Sequence, residues 1–269
     1  MFGLPLLVLV ALGEWRRYGA LPRESVRLAA IAGIFFTGDL MFWHHAIEAV
    51  GAGLATVLGN LQVIIVGFFA WLLLGERPSR ATLLALPVVL AGVILISGIV
   101  GEGAYGSAPQ LGVVLGVATA ICYSAYLLII RRGGRDPRRP AGPVAISTVF
   151  VVLASFLVGR AVGDLDLTPP LASLFWLALL GITSQSAGYL LISISLSRLP
   201  AIITSIILLA QPVMSVALAI VLLGETPSPT QLLGVGLVIG GVAAATVPVA
   251  RLRDGLARAR PATEAPPRP

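Results

Sequence analysis

The sequence predicts an all-α integral membrane protein built from two copies of one helical unit. Three observations predict this fold class. The chain of 269 residues is 57% hydrophobic and only 11% charged, with a mean hydropathy of +0.98, whereas soluble domains carry about 25% charged residues. Long apolar runs follow one another through the chain, and one segment recurs 149 positions later. An aqueous core cannot bury that much apolar surface, but a bilayer can.

Eight apolar runs are long enough to cross a bilayer, which takes roughly 20 residues in a helix. They are Leu28–Ile47, Leu54–Leu74, Ala81–Val100, Leu111–Ile130, Val144–Val162, Leu171–Ser193, Ile202–Leu223 and Leu232–Val249. A ninth run, Phe2–Leu12, is too short to span comfortably, and no basic residues precede it as they would in a signal peptide. The sequence therefore predicts nine transmembrane helices, of which the first is short.

The recurring segment reads Leu73–Ser79 in the first copy and Leu222–Ser228 in the second. A repeat at this spacing indicates duplicated domains. At the same offset Phe150–Arg160 aligns with Met1–Ala11, so one whole helix and the start of the next are expected to precede residue 1. The parent fold would then have ten helices in two units of five. The alternative is a true nine-span protein with a short first helix.

The predicted domains are a first half at 1–100, incomplete at its N-terminus, and a second half at 109–250. Residues 251–269 are rich in proline, alanine and arginine, a composition that predicts a disordered tail. Because five is an odd number of spans, the second half must be inserted upside down relative to the first. Inverted repeats of this kind are a common plan of secondary transporters.

The arginines test this topology, because cytoplasmic loops are enriched in Lys and Arg. With the loop at Arg16 and Arg17 inside, all but one of the 18 arginines fall inside, together with the C-terminus; Arg160 is the exception. The first copy of the repeated segment carries Arg77 and Arg80, and the second copy carries no arginine. The net charge of +6 is therefore explained by membrane orientation, and no nucleic-acid partner is expected.

The repeated segment and the apolar helices on either side of it resemble the EamA domain of the drug/metabolite transporter superfamily. The resemblance rests on an apolar helix ending in Leu-Leu-Gly-Glu, the following Pro-Ser, a later helix with Gly-Val, and Leu209–Val213 before the second motif. It departs from the pattern where the first half has Gln62-Val63 in place of Gln211-Pro212. The resemblance implies two tandem units of five helices, a central pathway between them, alternating access and export of small metabolites. It does not fix the substrate.

The sequence shows no arrangement of residues that is typical of an enzyme active site. It has no Gly-rich phosphate loop, and its single cysteine, Cys122, has no partner for a Cys-based metal site. His44 and His45 are adjacent, so in a helix they point about 100° apart and cannot share a face. An interfacial pair is the preferred interpretation. We therefore expect no enzyme activity, no cofactor and no metal site.

Asp39 is the most informative single residue, because it lies near the middle of a predicted span. A carboxylate there costs about 2.5–3.5 kcal/mol on insertion scales, so it should face a cavity or be protonated. One interpretation is a proton-coupling or cation-binding group. The other is a protonated side chain that is hydrogen-bonded to a neighbouring helix. Its counterpart in the second half is Gly188, so any role is asymmetric.

Amides and aromatic side chains supply the other candidates. Gln62 and Gln211 are equivalent mid-helix positions, where either substrate binding or interhelical hydrogen bonding is expected. Gln185 and Tyr189 are spaced to share one helix face, and either cavity lining or packing would suit them. The full set of substrate-binding or coupling candidates is Asp39, His44, Asn60, Gln62, Tyr126, Gln185, Tyr189 and Gln211.

Glu76 and Glu225 end helices within the two motif copies. The preferred interpretation is that each forms a tight turn and caps the next helix; the alternative is a gate or a proton entry point. The pairs Gly112/Gly116 and Gly236/Gly240 allow helices to approach closely, within the chain or across a homodimer.

The sequence thus predicts a multi-pass secondary transporter of the plasma or inner membrane, with a small-molecule substrate and a cytoplasmic C-terminus. Export of a small metabolite or amphipathic compound by alternating access is the expected activity. The alternative is a non-transporting or inactive paralogue that lacks the first helix.

Overall fold

A computed structural model describes residues 2–96, 108–134, 136–163, 169–218, 220–221 and 228–246. Within these ranges the chain is helical and contains no strand, which confirms the all-α prediction. The helices are α1 (Leu4–Tyr18), α2 (Arg23–Gly59), α3 (Gln62–Leu74), α4 (Arg80–Ile96), α5 (Pro109–Gly133), α6 (Ala141–Val162), α7 (Leu171–Leu180), α8 (Tyr189–Arg198), α9 (Ala201–Leu208), α10 (Gln211–Leu218) and α11 (Pro229–Thr246). A π-helical stretch, Gly181–Gly188, joins α7 to α8 and is called the π-segment below. Glu225 and the predicted tail at 251–269 lie outside the described residues.

Within the described parts of the chain, five helical stretches are long and apolar enough to cross a membrane. They are Arg23–Gly51, Ala55–Leu74, Gln110–Gly133, Ala141–Val162 and Leu171–Arg198. Three shorter apolar helices, Arg80–Leu95, Ala201–Met214 and Pro229–Ala245, occupy the positions of the three remaining long runs. Many large apolar side chains on these helices are exposed, as expected of surfaces that face lipid.

A kink at Gly51 separates the first two of these stretches within α2. Gly51 has φ 80° and ψ 159°, a backbone conformation that is essentially restricted to glycine. The helix therefore breaks at this residue, and the second stretch runs from the last residues of α2 into α3.

The first copy of the repeated motif forms a helix end and a turn. Gly75 closes α3 in the left-handed conformation, with φ 71°, and the Glu76 N–H donates to the Ala70 carbonyl at 3.1 Å. This is the usual glycine-based way to end a helix. The next helix is capped by Ser79, whose hydroxyl accepts from the Thr82 N–H at 3.1 Å. The expectation that Glu76 caps α4 is therefore wrong, because Ser79 performs that role.

Two helices are interrupted at equivalent places in the two halves. The Leu61 N–H donates to the Leu58 carbonyl at 3.1 Å, and the Ala210 N–H donates to the Ile207 carbonyl at 3.0 Å. These are the same tight, three-residue hydrogen bond at the 149-residue offset. Each break stands directly before one of the paired glutamines, because α3 begins at Gln62 and α10 begins at Gln211.

The helices α4 and α11 pack through equivalent glycines. A Cβ atom on Gly92 would lie 2.8 Å from both the Gly234 carbonyl and a Val238 methyl. A Cβ atom on Gly241 would overlap a methyl of Val89. The contact is reciprocal at the repeat offset. Since later residues of α4 meet earlier residues of α11, the two helices run antiparallel.

The helix ends that carry most of the described arginines gather on one side, called here the arginine-rich face. It contains the ends of α1, α3, α5 and α8 and the starts of α2, α6 and α9. The Glu14 carboxylate accepts from the Ala141 and Gly142 N–H groups, each at 2.9 Å. Arg139 donates across the same face to the Ala20 carbonyl at 3.0 Å. These contacts join α1 and α2 to α6.

Asp136 belongs to the same face, in the connection between α5 and α6. It binds Arg138 at 3.1 Å and Arg139 at 3.0 Å. The hydrogen bonds from Arg138, together with the nearby positive charges, lower the pKa of Asp136 to about 2. This carboxylate therefore stays ionised at neutral pH and fixes the turn between the two helices.

Candidate functional site

Three aromatic rings from three different helices meet in the interior of the bundle. Phe36 of α2 stacks on Tyr126 of α5, with ring centroids 4.7 Å apart and planes 26° apart. Tyr189 of α8 lies 4.7 Å from Phe36 and packs edge-on against Tyr126 at 5.7 Å. Tyr123 also stacks on Tyr126, with ring centroids 6.1 Å apart and planes 16° apart. These four residues are called the aromatic cluster.

Asp39 lies beside the aromatic cluster, on α2. It follows Phe36 by three residues, so both side chains occupy the same helix face. Asp39 is only 8% exposed, and within the described part of the chain its carboxylate forms no hydrogen bond or ion pair. The adjacent Gly38 packs against α5, because a Cβ atom placed on it would lie 3.2 Å from the sulfur of Cys122. A buried carboxylate without a protein partner is costly unless it is protonated or meets a ligand.

An apolar layer separates the aromatic cluster from the arginine-rich face. It is called the apolar plug and consists of Ala70, Leu127, Ile130, Leu196 and Ala201, each no more than 2% exposed. Leu127 and Ile130 stand on α5 between Tyr126 and the arginine-rich end of that helix. The plug therefore lies between the aromatic cluster and the arginine-rich face.

The π-segment lies next to Tyr189 and contains Gln185. Its Ser186 hydroxyl lies 2.7 Å from the Gly3 carbonyl and 2.8 Å from the Gly181 carbonyl, and can donate to either. These contacts attach the start of α1 to the segment. Gln185 is half-buried. π-helical turns within α-helices occur frequently at functional sites, and here the turn directly precedes an aromatic residue of the cluster.

Gln62 is buried in a different place, between α3, α5 and α9. It is 2% exposed, and its side-chain oxygen has no hydrogen-bond partner among the residues that the structure describes. Its backbone carbonyl lies 3.3 Å from the Ser124 hydroxyl, which can donate there or to the nearer Ala120 carbonyl at 2.6 Å. The hydroxyls of Thr119 on α5 and Ser205 on α9 are likewise buried without partners. Unpaired buried polar atoms are uncommon in folded proteins, and these three are on helices that pack against one another.

The remaining sequence candidates lie elsewhere. His44 is exposed, with its Nδ1 atom 2.6 Å from the Leu40 carbonyl and its ring against that of Trp43. Gln211 is exposed at the start of α10, so its environment differs from that of Gln62. Asn60 is part-buried in the turn between α2 and α3.

The structure thus brings together three of the eight candidates, Asp39, Tyr126 and Tyr189, and places Gln185 on the adjoining turn. Sequence reasoning missed Phe36, which contacts two of the tyrosines. The signal was available, because Phe36 stands one helical turn before Asp39. Among the described residues no group of three or more His, Cys, Asp or Glu side chains is placed to hold a metal ion.

Comparison with known proteins identifies the family. A sequence model described as the EamA-like transporter family matches residues 1–98 and 110–247. The chain belongs to the EamA-like transporter family. This confirms the resemblance seen in the sequence, and it makes the chain a multi-pass membrane transporter.

Relatives in this family include named exporters. The chain is 27% identical over 222 residues to the aromatic amino acid exporter YddG of Ancylobacter novellus, covering 81% of this chain and 74% of that protein. It is 25% identical over 250 residues to the threonine/homoserine exporter RhtA of Escherichia coli K12, covering 91% and 79%. A solved crystal structure with 22% identity matches with a TM-score of 0.77, covering 91% of this chain and 85% of that one. At that identity the last comparison shows the fold alone.

Proposed function

We propose that this EamA-family chain is a secondary active transporter that exports a small amine-bearing metabolite, with Asp39 and the aromatic cluster as its central site. The observation that carries the proposal is the buried Asp39 carboxylate, which has no partner within the described residues. A carboxylate in this setting can accept a proton or a substrate ammonium group. The faces of the neighbouring rings also attract cations. Two relatives are named as exporters of amino acids, which carry such a group.

The arrangement of the two repeats supports alternating access. The site draws Phe36 and Asp39 from the first repeat and Tyr126 and Tyr189 from the second. The reciprocal, antiparallel contact of Gly92 and Gly241 is what an inverted pair of repeats would produce. Interrupted helices at corresponding positions are typical of transporter binding sites near the middle of the membrane. We infer that the pathway lies between inverted halves that rock around this site.

A second group of buried polar atoms, apart from the aromatic cluster, extends the proposal. The unpartnered oxygen of Gln62, with the hydroxyls of Thr119 and Ser205, offers polar groups to a substrate or to water in the pathway. Gln185 joins the site through the π-segment. Asn60, Gln211 and His44 stay predictions, with the last two on exposed positions. We further propose that the arginine-rich face is cytoplasmic and that the protein resides in the cell membrane, as the arginine distribution favours.

An efflux assay tests the function. Cells or inside-out membrane vesicles that contain the protein are supplied with radiolabelled phenylalanine, threonine or homoserine, with and without an imposed pH gradient. We expect pH-driven movement of at least one of these amines, and its loss in the Asp39→Asn variant. Glu48→Gln is the matched control, because Glu48 is an exposed carboxylate on the same helix.

Two outcomes would contradict the proposal. Unchanged pH-driven flux in Asp39→Asn would remove Asp39 from coupling. The absence of any flux, in protein that is inserted and monodisperse in detergent, would favour the non-transporting alternative for these substrates.

A further inference from the structure

Glu76 makes contacts that reach across the two repeats. One oxygen of its carboxylate forms an ion pair with the guanidinium of Arg131, at the end of α5. The other oxygen accepts from the backbone N–H of Ala201, the first residue of α9, at 2.7 Å. Glu76 therefore caps a helix of the second repeat while it belongs to the turn after α3 in the first.

Arg131 completes the connection. Its guanidinium also donates to the backbone carbonyls of Leu196 and Leu199, at the end of α8. Carbonyls at the C-terminus of a helix lack partners within the helix and favour a nearby cation. A carboxylate at the start of a helix is favoured for the corresponding reason. The two side chains thus satisfy the end of α8 and the start of α9 together.

The ion pair of Glu76 and Arg131 also lies next to the apolar plug. Leu196 and Ala201 belong to the apolar plug, and Ala70, also in the plug, accepts the Glu76 N–H at 3.1 Å. The two side chains are only 21% and 17% exposed, so water weakens their attraction less than it weakens a surface pair. The ion pair therefore covers the plug on the side of the arginine-rich face.

We propose that Glu76 and Arg131 form a latch that holds the arginine-rich end of the transport pathway closed. The inference rests on the proposed alternating access. In the closed state the latch joins α3 of the first repeat to α5, α8 and α9 of the second. When the halves separate at this end, the carboxylate and the guanidinium part, and water takes over the backbone groups that they had bound. The latch is thus a conformational control distinct from the substrate site at Asp39.

Cysteine accessibility tests the latch without requiring a known substrate. Cys122, the only cysteine of the chain, is replaced by serine, and a reporter is introduced as Ala70→Cys inside the apolar plug. A membrane-impermeant maleimide is then applied from each side, to right-side-out and to inside-out vesicles. The latch is opened with Glu76→Gln, whose amide oxygen can still accept from Ala201, and independently with Arg131→Gln.

We expect either variant to raise the rate of reporter labelling about tenfold, which corresponds to about 1.4 kcal/mol in the opening equilibrium. The rise should occur only from the side of the arginine-rich face. Arg132→Gln and Glu24→Gln are the matched controls, since both residues are exposed on the same face and neither belongs to the latch. The double variant Glu76→Gln/Arg131→Gln should be no more open than Arg131→Gln alone, because that single change already removes the ion pair together with the guanidinium's bonds to the end of α8.

Equal labelling in the parent and in both latch variants would overturn the proposal, and so would an equal rise in the two controls. A rise from both sides would instead indicate general loosening of the bundle, and would also count against a latch. Elution as a monodisperse peak in detergent checks that each variant is folded. Because labelling does not depend on transport, a failed efflux assay and a failed latch are distinguishable.

Discussion

Gly92 and Gly241, which are equivalent positions of the repeat, both lie in the contact between α4 and α11. Each allows the other helix to approach until a side-chain methyl or carbonyl occupies the space where a Cβ atom would be. Small residues permit this close packing in membranes, where helices associate largely through van der Waals contact. The two repeats are therefore joined at this place by the close approach of their backbones.

Adding one methyl group at this contact should destabilise the protein. In Gly92→Ala the new Cβ atom meets the Gly234 carbonyl at 2.8 Å and the Val238 backbone nitrogen at 3.0 Å, and backbone atoms cannot move aside cheaply. We expect a loss of about 1–3 kcal/mol, measured as a lower midpoint of thermal unfolding in detergent. Gly240→Ala is the control, since a Cβ atom there meets nothing within 4 Å; an equal loss in both variants would refute the argument.

The turn at Gly51 should tolerate no side chain, although space is available for one. No atom lies within 4 Å of a Cβ placed there, so the penalty of Gly51→Ala comes from its φ of 80° alone. We expect a cost of about 1–3 kcal/mol. Thermal unfolding compared with Gly13→Ala, a glycine in α1 with equally open surroundings, isolates the backbone effect. Similar midpoints for the two variants would show that the turn is not strained.

The unpaired oxygen of Gln62 offers a way to separate structure from function. Methionine has nearly the same shape as glutamine and buries no unpaired amide, so Gln62→Met should fold at least as stably as the parent. If the amide binds substrate, as proposed, the variant should show a higher KM for efflux. Gln110→Met, at an exposed glutamine near the start of α5, should leave KM unchanged. An unaltered KM in Gln62→Met would leave Gln62 no role in binding.

The aromatic cluster should affect the transport of a substrate more strongly when that substrate carries an aromatic ring. Phe36→Leu keeps an apolar side chain of similar volume, for which the expected stability cost is below about 1.5 kcal/mol. Transport of a ring-bearing amine such as phenylalanine should weaken more than transport of threonine. Phe68→Leu serves as the comparison, because Phe68 is an exposed aromatic residue on α3. Equal effects of Phe36→Leu on the two substrates would contradict a ring-binding role.

Much of this fold was predictable, because a bilayer requires long apolar helices and arginines are concentrated in cytoplasmic loops. The helix ends near Arg16, Arg131 and Arg198 meet at one face. This agrees with the predicted topology, which places these three arginines on the same side of the membrane. The site was predictable in part, since a mid-helix carboxylate is conspicuous in an apolar run. Its placement beside Tyr126 and Tyr189 depends on packing between distant helices, which spacing within one helix does not contain.

Other features could not be predicted from the sequence, because different residue types can interrupt a helix in the same way. The break before Gln211 is accompanied by Pro212, which lacks an N–H and explains the interruption. The equivalent break before Gln62 has no proline and follows Gly59 and Asn60, which are weak helix formers.

The contacts of Glu76 with Arg131 and α9 could not be predicted from the sequence for a different reason. Its sequence position suggests the next helix, and only the tertiary packing brings Arg131 and α9 within reach.

The two ends of the contact between α2 and the second repeat are held by different chemistry. At the arginine-rich face the neighbouring segments are tied by the carboxylates of Glu14 and Glu76 and by arginine side chains. At the opposite end of α5, Val50 of α2 fits against Gly112, and the Ala108 N–H donates to the Ala49 carbonyl at 3.2 Å. Charge substitutions at Glu14 or Glu76 and changes of side-chain volume at Val50 or Gly112 will therefore act at opposite ends of α5.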